Sequence, residues 1–319
     1  LPTIVKELSS QQLPEFFLFG QSKLKSIDLS PLNEAVDTTI IPMGFMAGCS
    51  SLKSIDFSSF KHVKTLYCGF MSGCSSLENI ILPTIDLSSK TAQGIYQVHT
   101  PYVEDGNVTS GSFMGILNGC SKLKDIDFTP WAELKEIPNS FFGGAVALND
   151  PLLDEYPEIK TIFNQFNKPF EMTSLDLSPL TNINKIGKNF LDFCENLTSV
   201  TLPTLVEDAK GNAPTIDTAF MNNCNALQTI NLTPLANVAK IPHAFMMGCE
   251  SLTEIDLSQI SSLPPASESQ NVVGYGFVLN CKSLTTIKTG NLSANSFISS
   301  ASSGQWAPFK MFALSKDPG

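Results

Sequence analysis

A frame of about 25 residues recurs along this chain of 319 residues, and it constrains the fold more than any other feature. It reads Phe45-Met-Ala-Gly-Cys49-Ser-Ser-Leu52-Lys-Ser-Ile55-Asp-Phe57, then Phe70-Met-Ser-Gly-Cys74-Ser-Ser-Leu77-Glu-Asn-Ile80-Ile-Leu82. The frame returns at Phe190/Cys194/Leu197, Phe220/Cys224/Leu227, Phe245/Cys249/Leu252 and Phe277/Cys281/Leu284. Weaker copies stand at Phe17/Gln21/Leu24, Ile116/Cys120/Leu123, Phe141/Ala145/Leu148 and Phe166/Phe170/Met172, for ten units in all. Self-similarity at such a period is the mark of a solenoid, because one unit cannot bury its apolar face alone and must lean on its neighbours.

Within a unit, Ile41, Phe45, Cys49 and Leu52 fall at i, i+4, i+8 and i+11, which predicts one face of a short helix with Pro42 in its first turn and Gly48 where it unwinds. The next residues alternate, Ile55 and Phe57 inward and Ser54, Asp56 and Ser58 outward, as in a half-buried strand. Each coil is therefore strand, return segment, short helix and turn, and stacking the coils builds a parallel sheet on the order of 45 Å long at about 4.8 Å per strand. Seven of the eight cysteines (Cys49, Cys74, Cys120, Cys194, Cys224, Cys249 and Cys281) hold one repeat position on the apolar face. They are expected to form a file of buried, reduced thiols, since free Cys behaves as a small hydrophobe. Cys68 falls outside that position and is expected to be partly exposed. Trp131 takes the place of the Leu, Phe or Ile that other coils carry after the strand, so it belongs to the core.

These repeats resemble the leucine-rich repeat superfamily: Leu252-Thr-Glu-Ile255-Asp-Leu257 has its strand signature, and Ile241-Pro-His-Ala-Phe245-Met-Met-Gly-Cys249 is similar to the BspA-like subgroup of bacterial surface proteins. The chain departs from that pattern in having Pro after the Ile and in its degenerate stretch at 141–177. The resemblance implies a right-handed solenoid of the α/β horseshoe type, dominated by β structure, with a parallel concave sheet and short helical or 3-10 turns on the convex side. It also implies an extracellular or cell-surface bacterial protein that adheres to host or bacterial proteins or glycans.

The expected organisation is a single solenoid over 1–319, with a partial first coil at 1–12, repeats over 13–289 and a terminal cap at 290–319. Phe297, Trp306, Phe309 and Phe312 would cover the open core there. Leu1-Pro-Thr-Ile-Val5 matches Leu202-Pro-Thr-Leu-Val206, so the chain is expected to start inside a coil, with sequence upstream that includes any anchor. Insertions lie near 86–112, 203–215 and 260–275, all expected between the strand and the next Ile-x-x-x-Phe, and hence on one edge.

Composition narrows the chemistry. All 20 basic residues are lysines, with no arginine, and the net charge is −10, which argues against nucleic acid as a partner. No run approaches the ~18 apolar residues of a membrane-spanning helix. His62, His99 and His243 have no nucleophile motif beside them and no Cys-x-x-Cys occurs, so neither a catalytic residue, a cofactor nor a zinc site is expected. Two binding surfaces stand out. One is the outward strand face with Asp28, Asp56, Asp125, Asp127, Asp176, Glu254 and Asp256, read either as an acidic face for a cation or basic partner or as a solvated face that keeps the sheet soluble. The other is the insertion edge, where Tyr96, His99, Tyr102, Glu104, Asp105 and Tyr275 collect the aromatic residues that dominate binding hot spots. The expectation is a monomeric, non-enzymatic binding module. A spacer without a ligand, or a surface hydrolase whose triad is assembled across coils, are the competing readings.

Overall fold

The computed structural model describes residues 12–96, 101–104, 107–110, 115–142, 170–264, 272–293 and 296–297. In chain order its strands are β1 (Ile40–Ile41), β2 (Ser54–Asp56), β3 (Thr65–Tyr67), β4 (Asn79–Ile81), β5 (Gly94–Tyr96), β6 (Pro101–Glu104) and β7 (Asn107–Ser110). There follow β8 (Glu136–Ile137), β9 (Ser174–Asp176), β10 (Lys185–Ile186), β11 (Ser199–Thr201), β12 (Thr215–Ile216), β13 (Glu254–Asp256) and β14 (Thr286–Lys288). Among the described residues every pairing between laps is parallel, and the one antiparallel pair is the hairpin β6–β7. The chain is a parallel-sheet β-solenoid with little helix.

Two ladders run along the stack. The first carries the Leu-x-x-Ile-x-Leu segments: β2 pairs with β4, β9 with β11 and β13 with β14, each in register, as Ile55 opposite Ile80. The central residue points into the core and its neighbours face solvent, the alternation that the sequence predicts. The second ladder carries the Ile of each Ile-x-x-x-Phe segment, in the orders β1-β3-β5 and β8-β10-β12, and continues as the bridges Ile241–Val273 and Val273–Phe297. Between the ladders lies one continuous core in which the repeat phenylalanines stack lap on lap: the ring centroids of Phe17–Phe45, Phe190–Phe220 and Phe220–Phe245 are 5.2, 5.4 and 4.8 Å apart. Phe297 is buried against Phe277, while Trp306, Phe309 and Phe312 of the expected cap lie outside the described residues.

The segment around each Phe is not the short helix that its apolar spacing predicts. Gly44, Met46 and Gly48 have φ of 65°, 56° and 76°, and the positions flanking the other repeat phenylalanines are also left-handed, for example Asn189 and Phe193, Ala219 and Asn223, and Ala244 and Gly248. Left-handed residues at every second or fourth place exclude an α-helix and turn the peptide N–H groups along the stack. Asn189, Leu191 and Phe193 donate to the carbonyls of Thr218, Phe220 and Asn222, and Ala219, Met221 and Asn223 donate to those of His243, Phe245 and Met247. Among the described residues, helix forms instead just after the strands, at α1 (Ser30–Ala35) and at the 3-10 turns Thr129–Trp131, Thr233–Leu235 and Leu257–Gln259. In the first three of these, Pro31, Pro130 and Pro234 supply the preset φ of a first turn.

The described laps on either side of the degenerate stretch touch each other directly. β8 pairs directly with β10, Phe141 stacks on Phe190 at 6.4 Å, and the Glu171 N–H donates to the Ser121 carbonyl at 2.6 Å. Residues 143–169, with Ala145, Leu148 and Phe166 of the expected units, lie outside the described ones. Cys68 is buried, not partly exposed, while Cys281 at the far end of the thiol file is half-buried.

Candidate functional site

The outward acidic residues of the first ladder do not converge on a common point. Each carboxylate closes its own turn: Oδ1 of Asp28, Asp56, Asp127, Asp176 and Asp256 accepts the N–H two residues on, from Ser30, Ser58, Thr129, Ser178 and Ser258, at 2.7–3.0 Å. Asn231 does the same for Thr233. These are Asx turns, in which a short polar side chain supplies the acceptor that the backbone leaving a strand lacks. The hydrogen bonds from Ser30, Thr129 and Ser258 hold Asp28, Asp127 and Asp256 below the usual carboxylate range. Asp125 accepts from the N–H of Ile126, and Glu254 pairs with Lys288 at 2.6 Å. Among the described residues no three His, Cys, Asp or Glu side chains are grouped so as to hold a metal ion.

The insertion edge divides into separate places. Tyr96 ends β5, Tyr102 and Glu104 lie in β6, and His99 and Asp105 fall outside the described residues. Tyr275 follows Val273, and the laps of β8, β10, β12 and Ile241 lie between β5 and that bridge. At about 4.8 Å per lap this separation is on the order of 20 Å, so the two tyrosine regions do not form one patch. Tyr275 packs instead on His243, with ring centroids 4.4 Å apart, and its N–H donates to His243 Nδ1 at 3.0 Å. Burial and the neighbouring Lys240 hold His243 below the usual imidazole range, so its nitrogen is available as this acceptor.

The insertions also differ in where they leave the lap. The extra residues before Ile216, and those before Val273, enter ahead of the second-ladder position as the spacing predicts, so the insertion expected over 260–275 ends short of Val273. In the longest one, the second-ladder strand is β5, paired Leu66 to Ile95, so the hairpin β6–β7 leaves after that strand and before Ile116.

Each insertion coincides with a cleft. One, about 650 Å³, opens between Leu87–Ile95 and Leu134–Asn139, where the second ladder is broken between β5 and β8. A second, about 310 Å³, lies between Ala213–Thr218 and Ala239–His243, at the break between β12 and Ile241. A third, about 180 Å³, separates Leu257–Pro264 from Thr289–Leu292. Extra residues in one lap hold it off the next, so the insertions themselves account for the openings. The floor of the first cleft stays closed: Ile85 N–H donates to the Pro130 carbonyl at 3.1 Å, and the Trp131 indole donates to the Pro83 carbonyl at 2.9 Å. Lys90, Lys135 and Lys185 stand on its rim with one carboxylate, Glu136, which pairs with Lys185 at 3.2 Å.

Three features escape a reading of periodicity. Asp192 and Asn222 hold the same repeat position in consecutive laps, and each has a buried side-chain oxygen with no hydrogen-bond partner. Burial pushes Asp192 up to about 6. Phe193 is left-handed and 46% exposed at a place where other laps have Gly or Asn. The signal for all three is a departure from the repeat consensus, visible only once the column has a known environment.

A family model for the BspA type leucine rich repeat region matches the chain in six copies, over residues 8–98, 108–213 and 163–302. Similar solved structures include a leucine rich cell surface protein of Faecalibacterium prausnitzii A2-165, 17% identical over 85% of this chain and 67% of that one, with a TM-score of 0.34. A leucine-rich repeat protein of Bacteroides ovatus ATCC 8483 is 22% identical over 70% and 54% of the two chains, with a TM-score of 0.27, so this chain spans about half of its length. One of Eubacterium ventriosum ATCC 27560 is 12% identical over 88% and 78%, with a TM-score of 0.23. No curated protein matches the chain. Among the described residues no helix is long and apolar enough to cross a membrane.

Proposed function

Because the chain belongs to the BspA-type leucine-rich repeat family, we propose that it is a non-enzymatic binding module of the bacterial cell surface, acting as a monomer that holds a protein or glycan partner along its insertion edge. The observation that carries this reading is the cleft of about 650 Å³ beside the longest insertion, a size ordinary for ligand sites. The outward acidic face is the weaker candidate, because its aspartates are occupied in turns of their own. In this reading the whole chain is one right-handed horseshoe solenoid, 1–319, whose end is capped beyond residue 290. The surface location is carried over to this chain from the Faecalibacterium protein, a leucine rich cell surface protein.

The test is retention of the intact chain on an array of glycans and of host and bacterial surface proteins, against a chain with residues 98–110 replaced by a short Gly-Ser link and against Lys90→Glu/Lys135→Glu. Selective retention that falls at least tenfold in either variant is the expected result. Equal retention by all three chains would move the site off this edge. Retention on no array member would favour a spacer.

A further inference from the structure

The broken second ladder leaves main-chain groups without partners at the cleft between β5 and β8. In a parallel ladder, alternate residues turn their N–H and C=O to opposite neighbours. The Gly94 N–H donates to the Lys64 carbonyl at 3.0 Å, so Gly94 and Tyr96 face β3 and the Ile95 peptide groups face the cleft. On the other wall, the carbonyls of Lys135 and Ile137 accept from Asn184 and Gly187 at 2.8 and 2.9 Å, so these residues face β10 and Glu136 faces the cleft. Among the described residues no backbone group pairs with Ile95 or Glu136 on that side. Two strands that run the same way thus present open edges to each other, in a ladder that is otherwise continuous through β1-β3-β5 and β8-β10-β12.

Two open edges facing one gap are the recognition chemistry of strand addition, where main-chain hydrogen bonds give affinity and alternate side chains give selectivity. An extended peptide carries N–H and C=O groups on both of its sides, the pattern that two such edges call for. The charge on the rim selects among peptides. In a chain of net charge −10, the charged residues lining this cleft are Lys90, Lys135 and Lys185 against Glu136, while the nearby carboxylates of Asp86 and Glu133 are occupied by the Ser88 and Leu87 N–H groups. With Lys185 and Glu136 paired, Lys90 and Lys135 remain to meet a ligand.

We infer that the β5–β8 cleft takes an extended, acidic segment of a partner protein as an added strand between Ile95 and Glu136. This rests on the binding role proposed above and names the partner chemistry at that same edge. Glu136 is a suitable point to interrogate, because its N–H makes no ladder bond; its replacement by Pro removes the donor that faces the cleft together with the carboxylate that pairs with Lys185, so Glu136→Gln is the control for the charge.

The probe is a fluorescein-labelled nine-residue peptide alternating Val with Glu and Thr, followed by anisotropy on the full chain. It is compared with a counterpart having Lys for Glu and with a form N-methylated at alternate peptide bonds. The acidic peptide is expected to bind at least tenfold tighter than the lysine peptide, and tenfold tighter than its N-methylated form. Glu136→Pro is expected to weaken it at least tenfold at unchanged thermal midpoint, and Lys90→Glu/Lys135→Glu to reverse the charge preference. Should Glu136→Pro lower the thermal midpoint, the N-methylated peptide decides the same point on the unmodified chain. Equal binding of the N-methylated form would overturn strand addition, and equal binding of the lysine peptide would overturn the acidic selectivity. If no peptide binds while the array still retains the chain through this edge, the inference fails and the binding role stands; loss of edge-dependent retention sinks the role itself.

Discussion

The thiol of Cys249 lies 3.1 Å from the backbone carbonyl oxygen of Met221, in the lap before it, and donates to it inside a core from which both residues exclude water completely. The same bond recurs from Cys49 to Leu18, Cys74 to Met46, Cys120 to Met71, Cys224 to Leu191 and Cys281 to Met246, at 3.1–3.3 Å. The cysteine column is thus more than a set of small apolar side chains. Each S–H meets the carbonyl of the residue after the repeat Phe, which the forward-pointing N–H groups of the laps leave only partly used.

Replacing Cys249 by Ala removes this donor and opens a small cavity. The expected loss is about 2 kcal/mol of unfolding free energy, combining one net hydrogen bond with lost packing, and urea denaturation monitored by far-UV circular dichroism checks it. Burial also pushes the thiols of Cys49 and Cys281 up to about 12, so they stay protonated at pH 8. Iodoacetamide at that pH should leave them unlabelled in the native chain and label them after denaturation, as read by peptide mass spectrometry.

Turn closure at Asp56 needs an acceptor, not a charge. Asp56→Ala is expected to cost about 1 kcal/mol, whereas Asp56→Asn should lie within experimental error of the parent, because Asn231 closes its own turn in the same way. Thermal midpoints of the two variants decide it. An equal loss in both would mean that the charge matters.

Asp192 makes stability fall as pH rises through the weakly acidic range. Its carboxyl is held at about 6 in the fold by burial, above the ordinary value of 3.8. The protonated form therefore contributes stability that is complete below about pH 4 and is lost as pH passes 6. Asp192→Asn should be more stable than the parent by about 3 kcal/mol at pH 7.5, with the difference shrinking toward zero at pH 4. Chemical denaturation at the two pH values measures this, and a difference independent of pH would contradict it. The aspartates of the strand face act in the opposite sense: Asp28, Asp127 and Asp256, lowered by their serine and threonine partners, stabilise above pH 4 and lose that contribution in stronger acid.

Phe193 carries a left-handed backbone, φ 59°, with an exposed ring. An L residue with a bulky side chain gives up about 1–2 kcal/mol in that conformation. Phe193→Asn should therefore raise the unfolding free energy by about 1 kcal/mol and keep the Phe193 N–H bond to Asn222. Differential scanning calorimetry tests it, and a lower midpoint would show that the ring is held by contacts outweighing the strain.

How much of this was legible depends on the residue. The lap period, the inward Ile55 and Phe57, the buried Trp131 and the file of cysteines follow from spacing alone, because stacked identical laps place equal positions side by side. The helix expected at Ile41–Leu52 does not form, since one apolar residue every three or four places describes a stacked turn as well as a helix. The glycines flanking Phe45 carried the missing signal. Phe and Leu at the right interval, as within 141–177, do not show which laps touch, and β8 meets β10 directly.

Repetition in the sequence determined that the molecule would be a solenoid with a phenylalanine core, because each lap buries its apolar residues only against the next. Which laps separate was decided by the tertiary structure. The cleft between β5 and β8, the open peptide edges of Ile95 and Glu136, and the distance between Tyr96 and Tyr275 depend on how far an insertion holds one lap from its neighbour. That separation is a sum of contacts along the whole stack, and no local stretch of residues contains it.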